Sequence, residues 1–487
     1  MLNRSTRPLT RPARPLPRAI TRSALVLGMG GLILSGAAPS AAAPILPPAS
    51  EQMPEPEEAL ADRQADEAAD ETLVEDDVPE GVELEDAQRL IDESDEVTAD
   101  DVRYAGAVDD LPEEPDRSFY DTPDQLPDED GELIRQREGT FYLDPLNLVE
   151  PEGDVTTFMY RTTDSNEAAR AATATLLEPE DGSGRVIVHA PGTQGMGDQC
   201  APSRQLAAGT EYEGIGIANA LNSGYTVVLV DYIGLGTEGE HTYLNRVDQG
   251  RAVLDAARAA AQVYGGGVEE DSPLHLRGYS QGGGAAASAL ELAGEHAPEL
   301  PLVSGSAGAP PADLFRVAEN IDGSLYSAFL LFAMGSMVES EGVDPTEFLN
   351  ADGLQAMEEA SGQCAIQAVF AHALTDSRTL TLDGRSFSEM IHEEPFASYL
   401  QEQSLGQQGR APEVPTLINH APLDDVIPYA VGRDMGSAWC GSGGQVTFEA
   451  TGVPTHLGAY LGSMPRTGIF TARMFDGRSP VDSCWRL

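Results

Sequence analysis

Short apolar runs rich in β-branched residues recur along the chain and alternate with segments of helical pattern. Five such runs cover residues 184–192, 224–236, 272–280, 300–310 and 414–425. Their continuous apolar character is typical of strands buried on both faces, and the alanine-rich segments between them predict helices. Two earlier runs, at residues 155–162 and 169–179, predict an antiparallel pair that opens the sheet. The pattern therefore predicts an α/β protein with a mostly parallel sheet and helices on both faces.

The sequence GYSQG at residues 278–282 lies where the third of these strands ends and a helix begins. It matches the pattern G-x-S-x-G, in which a serine occupies a sharp turn and glycines leave room for the neighbouring backbone. Such a turn lifts the serine hydroxyl above the sheet and directs the next N–H, that of Gln281, toward the same point. We therefore expect Ser280 to be a nucleophile and Gln281 to supply an oxyanion donor. An ordinary turn is the alternative.

A serine nucleophile requires a histidine base and an acid that orients it, and after this type of turn both follow the serine in the chain. Of the eight histidines, only His456 lies beyond the acidic turn after the last predicted strand, in what the sequence TGVPTHLGAY indicates is a loop. The acidic turn offers Asp424 and Asp425 as the acid. His420 is interpreted as a structural residue at the strand end. The sequence thus predicts a triad of Ser280, His456 and one of two aspartates.

A second oxyanion donor is expected in the glycine-containing loop at residues 189–203, after an earlier central strand. The N–H of Thr193 or of Gln194 is the candidate; Gln194 is preferred, but the sequence does not decide. Losing one such donor typically costs about 3 kcal/mol of transition-state stabilisation. No metal-ligand spacing such as H-E-x-x-H is present, and serine-triad chemistry requires no cofactor. We therefore expect neither metal nor cofactor.

The first 43 residues are typical of a secretory signal peptide. Six arginines between positions 4 and 22 precede a short apolar stretch at residues 24–34, and small residues follow up to a cleavage site near Ala42 or Ala43. The apolar stretch is short for a membrane span, and a retained N-terminal anchor is the alternative. No second apolar run of spanning length follows, so the sequence predicts an exported mature chain without a transmembrane helix.

Residues 51–130 contain 32 acidic residues against four arginines, with many prolines and few aromatic residues. Self-repulsion and scarce apolar surface favour a disordered acidic tail, which we place at residues 44–117. The whole chain has a formal net charge of −51, and all 29 of its basic residues are arginine. Such a chain repels phosphate backbones, which argues against nucleic-acid binding.

Five ordered sequence blocks resemble the secretory lipases, the yeast lipase A-like family of the α/β-hydrolase superfamily. They read PGTQGMGDQCAPS, DYIGLGTEGEHTY, GYSQGG, HAPLDDVIPY and THLGAY, and the resemblance covers residues 118–487. It implies an α/β-hydrolase fold in which Ser280 is the nucleophile, Asp424 the acid and His456 the base. It also implies hydrolysis of triacylglycerols and simpler esters, with some acyl-transfer ability. The acidic tail lies outside the resemblance.

The segment at residues 311–411 is too long for a loop in a compact domain, and the resemblance implies an inserted, mainly helical cap. The hydrolase core then comprises residues 118–310 and 412–487. Within the cap, the apolar residues at 325–337 are expected to contribute to an acyl pocket that excludes water, with ordinary core packing as the alternative.

Four cysteines in an exported chain predict two disulfides, for which three pairings are possible. The resemblance favours Cys200 with Cys364, which would tie the oxyanion loop to the cap. It also favours Cys440 with Cys484, which would brace the histidine segment against the C-terminus.

These expectations combine into a secreted serine ester hydrolase, outside the cell or attached to its envelope. A triacylglycerol lipase acting on lipid esters, with an oil–water interface as one setting, is the leading hypothesis. A short-chain carboxylesterase or a cell-envelope acyltransferase on the same fold is the alternative, and a non-catalytic binding protein is a third. The sequence leaves the preferred acyl length, interfacial activation and the oligomeric state open.

Overall fold

The computed structural model describes residues 117–487. The predicted signal peptide at residues 1–43 lies outside the described residues, as does the predicted acidic tail at residues 44–117 apart from its last residue. Both remain predictions. Among the described residues, no helix is long and apolar enough to cross a membrane.

Nine strands of the described chain form one sheet. Their bounds are β1 (Leu133–Glu138), β2 (Asp154–Thr163), β3 (Ala169–Glu178), β4 (Val186–Ala190), β5 (Thr226–Ile233), β6 (Leu274–Tyr279), β7 (Leu302–Gly308), β8 (Thr416–His420) and β9 (Val446–Ala450). The order across the sheet is β1-β2-β3-β5-β4-β6-β7-β8-β9. The pairs β1–β2, β2–β3 and β3–β5 are antiparallel, and the remaining five neighbouring pairs, from β5–β4 to β8–β9, are parallel. The predicted mostly parallel sheet is confirmed, and β2 and β3 form the predicted antiparallel pair.

Twelve α-helices connect or follow these strands in the same part of the chain. Their bounds are α1 (Pro202–Ala208), α2 (Gly214–Asn222), α3 (Arg246–Ala260), α4 (Gln281–His296), α5 (Leu314–Ile321), α6 (Ala328–Glu341), α7 (Ala351–Ser361), α8 (Ala365–His372), α9 (Phe387–Met390), α10 (Phe396–Gln403), α11 (Tyr429–Gly441) and α12 (His456–Phe475).

Helices cover both faces of the sheet, as the alternate residues of β5 show. Val228 and Val230 belong to a core shared with α3 and α4, whereas Val227 and Leu229 belong to a core shared with α2. Successive strand residues point to opposite faces, so a strand between two helical layers is apolar throughout. Every residue of β5 is accordingly buried.

The sequence pattern does not predict the two edge strands, β1 and β9. The first reads LIRQRE and none of its residues is fully buried; the second reads VTFEA and only its first three residues are buried. Edge strands are often short or polar because one side of their backbone has no partner strand. The continuous apolar run that identifies the central strands is therefore missing from both.

Residues 311–411, the predicted cap, contain α5 to α10. The apolar run at residues 325–337 lies largely in α6, which buries Leu331 and Phe332. Both side chains share one core cluster with Ile418 of β8 and Trp439 of α11. These helices therefore pack on the sheet core, and the division into cap and core at residues 311 and 411 remains a prediction.

Candidate active site

Ser280 occupies a strained turn between β6 and α4. Its backbone has φ 59° and ψ −124°, a combination that residues with a side chain rarely adopt. Its N–H donates to the carbonyl of Gly308, at the end of β7, over 2.9 Å. A Cβ atom on Gly278 would clash with the Gly282 carbonyl, and one on Gly282 would clash with the carbonyl of Ala190. Glycine is therefore required at both outer positions of G-x-S-x-G, because the backbone approaches too closely for a side chain.

His456 and Asp424 form a hydrogen-bonded pair. The Nδ1 atom of His456 lies 2.8 Å from Oδ2 and 3.0 Å from Oδ1 of Asp424. When Nδ1 donates to the carboxylate, the other ring nitrogen, Nε2, is a proton acceptor. This Nε2 is buried and has no hydrogen-bond partner among the described residues. It is therefore free to accept a proton from a nucleophile.

Tyr279 holds His456 close to the turn that carries Ser280. The Tyr279 hydroxyl donates to the His456 carbonyl over 2.8 Å, and the two ring centroids are 5.0 Å apart. The expectation that His456 lies in a loop is wrong, since it is the first residue of α12. Thr455 accepts the N–H of Gly458 with its side chain and so caps this helix, which turns the end of the loop into a helix start.

Asp424 lies in the turn after β8 with its side chain fully buried. Its Oδ1 accepts the N–H groups of Val426 and Ile427, each at 2.9 Å, and Nε2 of His420 lies 3.5 Å from Oδ2. Burial raises the pKa of this carboxyl. The hydrogen bonds from the two histidines, the charge of His456 and the Ile427 N–H outweigh burial and lower the pKa of Asp424 below its usual value. Asp424 is therefore ionised at neutral pH.

Asp425 contacts His456 at a different atom. Its Oδ1 accepts the backbone N–H of His456 at 2.7 Å, and its Oδ2 accepts the hydroxyl of Tyr326 at 3.1 Å. Neither oxygen is hydrogen-bonded to the imidazole. Of the two aspartates that the sequence left open, Asp424 contacts the ring, and Asp425 supports the N-terminus of α12, where a negative charge is favourable.

The backbone N–H groups predicted as oxyanion donors follow the C-terminal ends of the central strands β4 and β6. Gln281 is the first residue of α4, and the Ser280 side chain caps none of the N–H groups there. Thr193 and Gln194 follow β4, which pairs with β6 in parallel, so their loop begins at the same end of the strands as α4. The N–H groups of these three residues donate to no acceptor within the part of the chain that the structure describes. The geometry does not choose between Thr193 and Gln194.

Two buried glutamates, which the sequence pattern did not identify, support this loop. Glu213 accepts the N–H of Gly192 at 2.9 Å, and Glu211 accepts the side-chain N–H of Gln194 at 2.9 Å. Burial, and then the charge of Glu213, raise the pKa of Glu211 well above its usual value. Acidic residues are so common in this chain that neither glutamate stands out in the sequence.

Both disulfides implied by the resemblance occur in the structure. Cys200 and Cys364 are joined with a Cα–Cα distance of 5.3 Å, and Cys440 and Cys484 with one of 5.4 Å. The first links the loop after β4 to the start of α8, where the Ala365 N–H also donates to the Gln194 carbonyl at 2.8 Å. The loop after β4, which is predicted to supply the second oxyanion donor, is thus tied to the predicted cap by a covalent bond and a hydrogen bond.

A cavity of about 50 Å³ adjoins Ser280 and Gln281. Its remaining walls are mostly apolar side chains of the predicted cap and of the turn after β8. They include Leu314, Val317, Ile321, Phe329, Leu330, Leu400, Val426 and Ile427. The arrangement can accept an apolar group next to the serine hydroxyl.

One cluster of metal-ligating residue types occurs within residues 117–487, formed by Asp130, Asp255 and His296. Asp255 accepts from Arg258 at 2.8 Å and from His296 at 2.9 Å, and Asp130 forms an ion pair with Arg161. Cationic side chains therefore already neutralise both carboxylates, and ion pairing explains the cluster.

The chain is similar to several known proteins. Lipase A of Moesziomyces aphidis is 26% identical over 398 residues, which cover 77% of this chain and 83% of that protein. The secreted triacylglycerol lipase LIP7 of Malassezia globosa is 27% identical over 344 residues, covering 67% of this chain and 72% of that protein.

Among solved structures, Candida antarctica lipase A in its closed state matches with a TM-score of 0.68 at 24% identity, over 77% of this chain and 89% of that one. The rice cell wall degrading esterase LipA from Xanthomonas oryzae matches with a TM-score of 0.59 at 18% identity, over 72% of this chain and all of that one. These likenesses confirm the α/β-hydrolase fold. The family model described as Secretory lipase matches residues 201–483, more than half of the sequence. The chain therefore belongs to the secretory lipase family.

Proposed function

We propose that this protein is a secreted serine hydrolase of carboxylic esters, with triacylglycerols as its main substrate class. The observation that carries the proposal is the His456–Asp424 pair, whose free Nε2 is held beside the strained turn of Ser280. Relatives named as secreted triacylglycerol lipases support both the substrate class and a location outside the cell.

In the proposed reaction, His456 Nε2 removes the proton of Ser280 Oγ as this oxygen attacks the ester carbonyl carbon. The N–H of Gln281 and one N–H of the loop after β4 stabilise the oxyanion. Asp424 orients the ring and stabilises the imidazolium, which then protonates the leaving alcohol. Water, deprotonated by His456, attacks the acyl-enzyme and releases the carboxylic acid, so the serine is regenerated.

Exposed apolar side chains near the site favour a substrate that is presented at a lipid surface. Leu423 precedes Asp424, Leu457 follows His456, and Leu325 precedes the Tyr326 that contacts Asp425; each side chain is more than half exposed. Exposed apolar groups next to a hydrolytic site suit contact with an oil–water interface.

A short-chain carboxylesterase is the second candidate, and the small cavity favours it. The cavity of about 50 Å³ beside Ser280 has room only for a short acyl group. A longer acyl chain would require the cap helices to move. An acyltransferase would use the same acyl-enzyme with an alcohol in place of water.

The deciding experiment is hydrolysis of p-nitrophenyl esters from acetate to palmitate, and of dispersed triolein, by the mature protein and its Ser280→Ala variant. We expect turnover of long esters and triolein, and a loss of about 10⁵-fold or more in the variant. Activity confined to short soluble esters would establish the carboxylesterase. Equal activity of the two proteins, or none on any ester, would refute the proposal.

A further inference from the structure

A second cavity, of about 350 Å³, lies between the sheet and helices α2 and α12. On this face α2 packs on β5, and α12 packs on β7 and β8, so the strip over β4 and β6 is left uncovered. The cavity occupies this strip and shares no lining residue with the cavity beside Ser280. Much of its wall is apolar, formed among others by Ile187, Tyr225, Met464 and Ala472.

Arg277, which belongs to β6, is one of the residues that line this cavity. Its Nε donates to Nδ1 of His189 at 3.0 Å, and Nε2 of His189 donates to Glu213 at 3.2 Å. Burial, and then the charge of Arg277, lower the pKa of His189, so the ring is neutral and can accept this bond. The chain of hydrogen bonds fixes one edge of the guanidinium. Its Nη2 is buried and has no partner among the described residues.

A buried guanidinium N–H without an acceptor is unfavourable, and a carboxylate is the acceptor whose shape and charge fit it best. The neighbouring acidic residue, Glu213, already accepts from His189 and from the N–H of Gly192. A further unpartnered polar atom, Oδ1 of Asn419, lies two strands away on β8. The site thus combines an unsatisfied cationic donor with apolar walls and enough volume for a small ligand.

We propose that this cavity binds an amphipathic monocarboxylate of the medium-chain fatty-acid class. Its carboxylate accepts from Arg277, and its alkyl chain lies along the apolar wall toward Gly468 of α12. The site is separate from the acyl pocket, so binding requires no turnover. A free acid from the surroundings and an acid released by ester hydrolysis share this chemistry.

The test is calorimetric titration of the mature protein with octanoate after an alkyl phosphonate has been attached to Ser280 to fill the acyl site. We expect one octanoate per chain, affinity about tenfold higher than for hexanoate because of two added methylenes, and no binding of octylammonium. No binding of octanoate, or equal binding of octylammonium, would overturn the proposal.

Two sets of variants locate the bound acid. Arg277→Met should weaken octanoate binding at least tenfold, since it removes a charge-assisted hydrogen bond. Gly468 lies at the cavity on an exposed face of α12, and a Cβ there would have no atom within 4 Å. Gly468→Phe should therefore block binding, whereas the matched Gly468→Ala should retain it.

If Arg277→Met does not fold, the comparison of Gly468→Phe with Gly468→Ala still tests whether octanoate binds in this cavity. Octanoate binding that none of these variants weakens would overturn the proposal. Failure of the phosphonate to label Ser280, checked by mass spectrometry, would count against the proposed function instead. The Arg277 and Gly468 dependence of octanoate binding can then be measured on unlabelled protein.

Discussion

Exchanging Asp424 for asparagine changes one atom of the site, and the structure fixes where that atom must lie. Oδ1 accepts two backbone N–H groups, from Val426 and Ile427. An asparagine must keep its oxygen there, which places its NH₂ at the position of Oδ2, 2.8 Å from Nδ1 of His456. Two donors would then face each other at the shorter of the two contacts, the one to the retained oxygen being 3.0 Å, unless His456 moves its proton from Nδ1 to Nε2.

An imidazole with its proton on Nε2 cannot accept the proton of Ser280. We therefore expect Asp424→Asn to lower kcat about 10⁴-fold on p-nitrophenyl octanoate, or about 5.5 kcal/mol of transition-state stabilisation, while the protein stays folded. The Asp425→Asn variant is the matched control. Its amide oxygen can still accept the His456 N–H and its NH₂ can donate to the Tyr326 hydroxyl, so the main change is the loss of the charge near the N-terminus of α12. That charge is worth about 1 kcal/mol at most, or roughly fivefold in rate.

The assay is kcat and kcat/KM for both variants, with circular dichroism and thermal unfolding as checks of the fold. The reasoning is refuted if Asp424→Asn retains more than a tenth of the native activity. It is equally refuted if Asp425→Asn loses as much as Asp424→Asn, because the two aspartates would then be equivalent.

Three further predictions follow from the packing. Replacing Cys200 and Cys364 by alanine removes a cross-link that spans 164 residues and is worth about 5 kcal/mol in the chain-entropy model; it should lower both Tm and kcat/KM, because the bond holds the loop after β4. Replacing Cys440 and Cys484 by alanine should lower Tm alone. An equal loss of kcat/KM in the two variants would contradict this reasoning. Gly282→Ala should cost about 3 kcal/mol of stability in urea unfolding, because its Cβ would clash with the Ala190 carbonyl; native stability would show that the backbone can yield. Burial raises the pKa of Asp231 to about 6, above its value in the unfolded chain, so the native protein should lose about 3 kcal/mol of stability as pH rises from 4 to above 6. Urea unfolding of Asp231→Asn at pH 4 and pH 8 should not show this loss. An unchanged pH dependence in the variant would assign the loss of stability to other groups.

The sequence predicts the central strands because burial on both faces demands continuous apolar runs. The same reasoning fails at β1 and β9, whose pairing depends on a neighbouring strand more than on their own composition. It also misplaced His456, because a threonine cap can begin a helix directly after a loop that contains glycine and proline. Local pattern thus locates buried elements well, and elements at edges and ends less well.

The sequence alone predicted Ser280 as the nucleophile, since the close approach of Gly278 and Gly282 to other backbone atoms leaves a local signature. It also limited the histidine to His456 and the acid to two adjacent aspartates. Adjacent residues of the same type cannot be separated by sequence pattern. Only the tertiary structure showed that Asp424 contacts the ring while Asp425 contacts the backbone.

The buried supports of the site also depended on the tertiary structure. Glu211 and Glu213 are ordinary acidic residues in a chain rich in acidic residues, and nothing in their local sequence indicates burial. Arg277 lies in a strand predicted to be buried, but the sequence does not show that His189 is its hydrogen-bond partner. Their roles arise from partners distant in sequence that the fold brings within hydrogen-bond distance. Sequence by itself predicted which residues carry the covalent chemistry, because strained backbone and apolar strands leave local patterns. The fold decided what holds those residues in place, because a hydrogen bond between distant segments leaves no such pattern.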